Sequence, residues 1–281
     1  MILIVDSGST TTEWIFVMDG GETKRFLTPG FNPYYFKDES YLEKLDSQMT
    51  GEISFSDVGF IYFYGSGCSS QTNCALVKTS LWEMFPEADI KLNHDLYGAA
   101  VALCGDDVGI ACILGTGSNS CLWNGKEIVE NVPSVGYLLG DEGSGNYLGK
   151  LILTEVLLGN APEELSKHFY EFYDLDFTTT MEKIYKQENP NRFLASISKF
   201  ASKNISNIWI KEMIKQNFNN FIDRQIVKYT NYENYKISFV GSVAFAFQDI
   251  LKEVMKSRGL KQGKIIRSPM EELVKYHVKN I

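Results

Sequence analysis

The chain has 281 residues, 44% of them apolar and 22% charged, enough to bury a sizeable core in one large domain or two ordinary ones. Subtracting 35 acidic from 27 basic side chains leaves −8, with no long run of either sign, which argues against a nucleic-acid or anionic-membrane partner held by bulk electrostatics. An anionic small-molecule substrate stays open, because one site can be locally positive inside an acidic protein.

Met1-Ile2-Leu3-Ile4-Val5-Asp6 runs straight into a strand-like segment, with no basic leader and no apolar stretch near membrane-spanning length. A cytoplasmic protein is expected. The five cysteines, Cys68, Cys74, Cys104, Cys112 and Cys121, form no Cys-x-x-Cys pair and read as buried free thiols.

Ile2–Val5 and Trp14–Met18 are apolar runs joined by the polar turn Asp6-Ser7-Gly8-Ser9-Thr10-Thr11-Thr12, which predicts a hairpin. Val58–Tyr64 predicts a buried strand ending at Gly65-Ser66-Gly67, and Ile90–Leu92 a short one before Asn93-His94-Asp95. Small residues at helical spacing follow over Leu96–Cys104. After Gly105-Asp106-Asp107 the pattern begins again: strand Val108–Leu114, turn Gly115-Thr116-Gly117-Ser118-Asn119, returning strand Ser120–Trp123. The repeat predicts two similar halves, each opening on a hairpin.

Gly140-Asp141-Glu142-Gly143-Ser144-Gly145 then leads into a helix through Leu158, and 162–229 is mostly helical, with Pro162 and Pro190 where helices start. Lys236–Val240 predicts a strand ending at Gly241-Ser242, followed by one helix from Val243 to about Lys256. A last strand at Lys264–Ile266 and a last helix at Met270–Val278 complete an α/β chain.

Several motifs are missing. The P-loop pattern fails at Ser144 and Leu151, the Gly-x-Gly-x-x-Gly pattern fails at Ser70 and Ser120, and the zinc-protease and nucleophile-elbow patterns do not occur. What is present is a set of glycine/hydroxyl turns, each closing an apolar strand. Glycine admits close approach of a phosphate, and consecutive backbone N–H groups make an anion-binding concavity; an ordinary hairpin gives the same signal at any single turn. Asp6 suits an oxygen-ligated Mg²⁺ or a turn cap. Asp95 suits a helix N-cap first, as does Asn93, and a general base second. Asp141 and Glu142 are adjacent in the chain, so one of the two is expected to face a ligand.

Taken in order, Asp6-Ser7-Gly8-Ser9-Thr10, Leu114–Asn119, Gly136–Ser144 and Phe239-Val240-Gly241-Ser242-Val243 resemble the phosphate 1, phosphate 2, acceptor and adenosine segments of the actin/Hsp70/sugar-kinase ATPase superfamily. Within it the match is to the BadF/BadG/BcrA/BcrD-type ATPase group that includes N-acetylglucosamine kinase. The resemblance implies two ribonuclease H-like domains with an interdomain cleft: 1–106, and 107–281 with a helical insertion at about 160–230, the last helix (about 269–281) packing back on the first domain.

It implies ATP and Mg²⁺ as cofactors and a small-molecule sugar as partner; the sequence leaves the oligomeric state open, a homodimer being one option. Asp95 matches the catalytic base and Asp6 the Mg²⁺-associated acid. Ser9, Thr10, Gly115, Thr116, Gly117, Gly241 and Ser242 match ATP positions, and Asn32, Asp95, Ser118, Asn119, Gly136 and Asp141 match the acceptor site. Ser7 and Ser9 replace glycines of the mammalian-type kinases, Thr12 stands where relatives often carry Lys, and Ser134-Val135 stands where they carry Gly-Trp. The implied activity is transfer of the ATP γ-phosphoryl group to the 6-hydroxyl of an amino sugar, N-acetylglucosamine first. Its rivals are an ATPase activator of a redox partner (the 2-hydroxyacyl-CoA dehydratase or benzoyl-CoA reductase activase type) and a non-catalytic sugar sensor.

Overall fold

Continuous apolar runs become the central strands of two sheets, because a strand flanked on both edges and covered on both faces needs apolar side chains on each. The computed structural model describes residues 1–8, 11–31, 53–66, 68 and 71–279, and it divides into two compact units, Met1–Gly105 with Pro269–Ile281, and Asp106–Ser268. In the first unit, β1 (Ile2–Ser7), β2 (Thr11–Val17), β3 (Thr23–Pro29), β4 (Phe60–Gly65) and β5 (Asp89–His94) form one sheet in the order β3-β2-β1-β4-β5. β1, β4 and β5 run parallel and β2 antiparallel to β1.

The second unit repeats that arrangement. β6 (Gly109–Leu114), β7 (Ser118–Trp123), β8 (Ile128–Val132), β9 (Ile237–Val240) and β10 (Gln262–Ile266) form a sheet in the order β10-β9-β6-β7-β8, again with the second strand antiparallel and the fourth and fifth parallel to the first. Each sheet opens on a hairpin, as the sequence repeat predicts. The chain is α/β with two five-stranded mixed sheets.

In the first unit, α1 (Gln71–Met84) connects β4 to β5, α2 (Asp95–Cys104) follows β5, and the chain's last helix, α11 (Met270–Lys279), packs on α2, β1 and β2. The core under this sheet is aromatic: Trp14, Phe16, Phe31, Phe63 and Phe85 are each essentially inaccessible, and burying such a side chain contributes roughly 1.5–3 kcal/mol.

The helices of the second unit are α3 (Gly136–Leu139), α4 (Gly145–Leu157), α5 (Glu163–Tyr173), α6 (Phe177–Tyr185), α7 (Pro190–Lys203), α8 (Ile208–Arg224), α9 (Ser242–Ala246) and α10 (Gln248–Ser257). α7 and α8 bury Leu194, Ile197, Phe200 and Ala201, and Ile210, Ile214, Phe218, Phe221 and Ile222, the three-and-four spacing of a helix face turned to the core. The single helix expected from Val243 to Lys256 is two. Phe247 leaves the helical conformation at φ −113°, ψ 27° with its ring buried in the core, and α10 begins just beyond it. No described helix is long and apolar enough to cross a membrane.

α11 brings a buried histidine to the first sheet. His277 Nε2 lies 2.7 Å from the Tyr64 hydroxyl, and its ring stacks on Tyr62 at 3.7 Å between centroids. Burial, with help from Lys91, lowers its pKa from 6.5 to about 4. A histidine kept neutral in the fold gives stability that is complete above the unfolded value and declines as pH falls through the folded one. The decline belongs between pH 6.5 and 4 and amounts to about 3 kcal/mol. Chemical denaturation of the wild type and of His277→Gln across this window should show the variant losing markedly less stability on acidification.

Candidate active site

Parallel strands end together, so the residues at their carboxyl ends share one edge of the sheet. In the first unit the register aligns Ser7 with Gly65 and Gly65 with His94. Asp6 therefore stands one residue before that edge and Asp95 one residue after it. Both carboxyls are half-buried. Burial lifts Asp6 from 3.8 to about 7, and the charges of Asp95 and Glu13 push the same way; Glu13 sits opposite Asp6 on β2. Burial also raises Asp95, opposed by the Leu96 N–H, which donates to its Oδ1 at 2.8 Å, and by His94.

Neither Asn93 nor Asp95 caps α2. His94 does, its Nδ1 accepting the Tyr97 N–H at 3.2 Å. The capping alternative for Asp95 thus falls away, and its second oxygen is not committed to a helix cap.

Ser7 and Thr12 close the base of the first hairpin without facing outward. Their hydroxyls are 2.7 Å apart and fully buried; Ser7 Oγ donates to the Phe31 carbonyl at 2.8 Å, and the Phe31 N–H reaches Thr12 Oγ1 at 2.7 Å. Thr12 is a clamp on the chain after β3. In this chain the position is filled by one half of a buried hydroxyl pair that holds backbone. Ser9, Thr10 and Asn32 lie outside the described residues.

In the second unit the turn Gly115–Gly117 joins β6 to β7 and is tied to the start of α4. The Gly145 N–H donates to the Gly115 carbonyl at 2.8 Å and the Asn146 N–H to the Thr116 carbonyl at 3.1 Å. A trans peptide sets its N–H opposite its C=O, and no peptide here is cis. The N–H groups of Thr116 and Gly117 consequently point away from α4, two consecutive donors on the outer side of the turn. Such a pair makes an anion seat. Gly241, leaving β9 at φ +129°, lies so close to this turn that a Cβ would collide with the Leu114 carbonyl and stand 3.1 Å from the Gly115 nitrogen. Only glycine combines that backbone conformation with that approach.

Asp141 is held against the same turn. Its backbone is left-handed (φ 68°), and a Cβ on Gly117 would be 3.1 Å from its Oδ2. Burial raises its pKa, offset by the Ser118 N–H, Asn146, Lys150 and Ser134. Its neighbour Glu142 turns elsewhere, toward Arg224 at 4.0 Å. Lys150 Nζ binds the Tyr137 and Gly140 carbonyls, and Asn217 Oδ1 accepts the Gly143 N–H at 2.8 Å, fastening the segment from both sides. Asn146 and Lys150 follow the Gly140–Gly145 motif closely in sequence; Asn217 lies far along the chain and carries no local signal.

Ser118 and Asn119 point to opposite faces of β7. Ser118 shares the buried face of Leu114 and Leu122, whereas Asn119 Oδ1 accepts from Ser120 N–H at 2.9 Å and Asn131 Nδ2 at 3.1 Å. Gly136 opens α3 at φ +74° with open space where a side chain would be. Ser242 opens α9 and borders a hollow of about 490 Å³ lined also by Ser198, Lys199, Ser202, Lys203, Phe245 and Arg267. That volume suits a small-molecule ligand, and its lining includes cations but no carboxylate.

No protein-family model and no curated protein matches the chain. Among solved structures, it is 41% identical to a candidate N-acetylglucosamine kinase of Porphyromonas gingivalis, over 100% of this chain and 99% of that one, with a TM-score of 0.91. A candidate N-acetylglucosamine kinase of Chromobacterium violaceum shares the fold at 17% identity, over 98% of both chains and a TM-score of 0.70. A ROK-family transcriptional regulator homologous to the E. coli MLC protein does so at 12% identity, over 98% of this chain and 78% of that one, with a TM-score of 0.58. The chain belongs to one family with the Porphyromonas protein, among the sugar kinases of the actin-like ATPase superfamily.

Proposed function

We propose that the protein transfers the γ-phosphoryl group of ATP to the 6-hydroxyl of an amino sugar, N-acetylglucosamine first, with Asp95 as general base, and that its place in the superfamily is the BadF/BadG/BcrA/BcrD-type group. The observation that carries this reading is the pair Asp6 and Asp95: two half-buried carboxylates at the ends of parallel strands, each held above its ordinary pKa chiefly by burial. A carboxylate whose pKa is raised by burial is a stronger base than one in water.

Asp95 takes the proton of the acceptor hydroxyl as its oxygen bonds to the γ-phosphorus, and the bond from phosphorus to the bridging oxygen breaks to release ADP. Thr116 and Gly117 receive phosphate oxygens on their outward N–H groups, which offsets charge where it gathers in the transition state. The hollow beside Ser242 takes the nucleoside, Lys199 and Arg267 giving it a positive lining. Asp141 and Asn119 orient the sugar, with Ser118 and Gly136 beside them.

Mg²⁺ suits the donor set here, since it prefers oxygen ligands and is commonly held by one or two carboxylates together with substrate phosphates. Asp6 and Asp95 are such carboxylates, and the charge of Asp95 disfavours that of Asp6 in the absence of a cation. Asp6 would hold it, and the ion would neutralise phosphate charge. Support for the acceptor class comes from the Porphyromonas relative.

The test is ADP release measured over a panel of hexoses and amino sugars. The expected result is stimulation by N-acetylglucosamine above the other sugars. Stimulation by none of them would overturn the kinase reading, and a stronger response to a plain hexose would move the acceptor away from amino sugars.

A further inference from the structure

The turn leaving the middle of the first sheet carries a hydroxyl that the fold does not use. Ser66 follows β4, whose neighbours are β1 on one side and β5 on the other. Its N–H donates to the Ser7 carbonyl at 2.7 Å, which fixes the residue at the sheet edge. Its Oγ is shut off from solvent and has no hydrogen-bond partner among the described residues. Native folds leave few buried polar atoms unbonded, because each is destabilising, and such atoms gather where function requires them.

The position gives that hydroxyl a meaning. The row Ser7, Gly65, His94 runs across the ends of the three parallel strands, so Ser66 stands in the next row, between Asp6-Ser7 and His94-Asp95. Cys68, two residues further, has its thiol raised mainly by burial and by Cys74, and also by the charge of Asp95, which places this turn within electrostatic reach of the carboxylate. A serine hydroxyl both donates and accepts, matching the hydroxyls of a pyranose, and its small side chain lets a sugar ring come close.

Resting on the sugar-kinase reading above, we propose that Ser66 is an acceptor-binding residue whose Oγ hydrogen-bonds a hydroxyl of the bound hexose and so sets the angle at which the attacking hydroxyl meets Asp95. Ser66 as a residue is only half-buried, so rotation about its Cα–Cβ bond brings the hydroxyl to the ligand, and the bond is made only with substrate present. Ser66 is thereby a determinant of acceptor affinity and selectivity, separate from the residues that grip the nucleotide.

A purely structural serine and a substrate-binding one respond oppositely to Ser66→Ala. Losing an unbonded buried hydroxyl leaves the thermal midpoint unchanged or raises it. Losing a sugar contact lowers kcat/KM for the acceptor by roughly 10- to 100-fold, while KM for ATP and acceptor-free ATP hydrolysis hold. Ser66→Thr, which keeps the hydroxyl, should retain more acceptor activity than the alanine variant. Two results would overturn the proposal: acceptor kcat/KM in Ser66→Ala within about twofold of wild type, inside the range of an ordinary surface change, or a clear drop in thermal midpoint, which would reveal a bond within the protein. Wild-type protein without acceptor-dependent turnover would instead overturn the kinase reading itself.

Discussion

Asp95→Asn should lower acceptor phosphorylation by roughly 10²- to 10⁴-fold, the usual contribution of a positioned general base, and leave nucleotide affinity close to wild type. The substitution is nearly isosteric. The amide oxygen can still accept the Leu96 N–H that Asp95 Oδ1 receives at 2.8 Å, and the cap of α2 is made by His94 and is untouched. Only the proton acceptor is lost. A second readout separates this from a general disturbance. Burial raises Asp95 above the ordinary carboxylate range, and a base acts only when deprotonated. Wild-type kcat/KM should therefore climb with pH through a limb lying above that of an exposed aspartate, and the residual activity of the variant should lack the Asp95 contribution to that limb. Titration of ATP binding by calorimetry checks the nucleotide half. Full phosphorylation by the variant would remove Asp95 from the chemistry.

The parts of the fold that were legible in the sequence are those whose burial is uniform. β1 and β6 read as continuous apolar runs because both their faces are covered, and the glycine/hydroxyl turns after them stand out for the same reason. β3 and β8 carry weaker signals. Each is an edge strand, Thr23–Pro29 mostly exposed and Ile128–Val132 with Val129, Glu130 and Asn131 facing solvent, so neither needs an apolar pattern. The break at Phe247 was hidden because residues on both sides keep helical spacing; what interrupts the helix is the demand of the core for that ring.

The site divides in the same way. Asp6, Asp95, Asp141 and the turn at Gly115–Gly117 lie in recognisable local motifs, and their positions at strand ends follow from β-topology. The partners that set their behaviour do not. Asn217 fastens Gly143 across 74 positions of chain, and nothing in the turn's local pattern shows that the Thr12 hydroxyl is buried against Phe31. Whether a polar side chain faces a ligand or the backbone depends on what lies opposite in space, and a linear pattern carries that only when both partners are near neighbours.

Asp6→Asn should inactivate the enzyme and at the same time stabilise the ligand-free protein. In the fold the carboxyl is raised from 3.8 to about 7, first by burial, then by Asp95 and Glu13. A carboxyl whose folded pKa lies above its unfolded one has its full stability below the unfolded value, and that stability is lost as pH rises toward the folded one. The loss runs from about pH 4 to pH 7 and amounts to about 4 kcal/mol, an upper bound because the group is partly solvated. Asparagine does not ionise, so thermal midpoints of variant and wild type should diverge through this window, with the variant higher by several degrees at pH 8. Retaining so costly a charge has a physical reason if a cation belongs beside it. Adding Mg²⁺ with a non-hydrolysable ATP analogue at pH 8 should then raise the wild-type midpoint more than that of the variant. Equal midpoints at pH 8 without ligand would show that Asp6 is not strained by its surroundings. Equal shifts with ligand would show that the cation, if it binds, does so without Asp6.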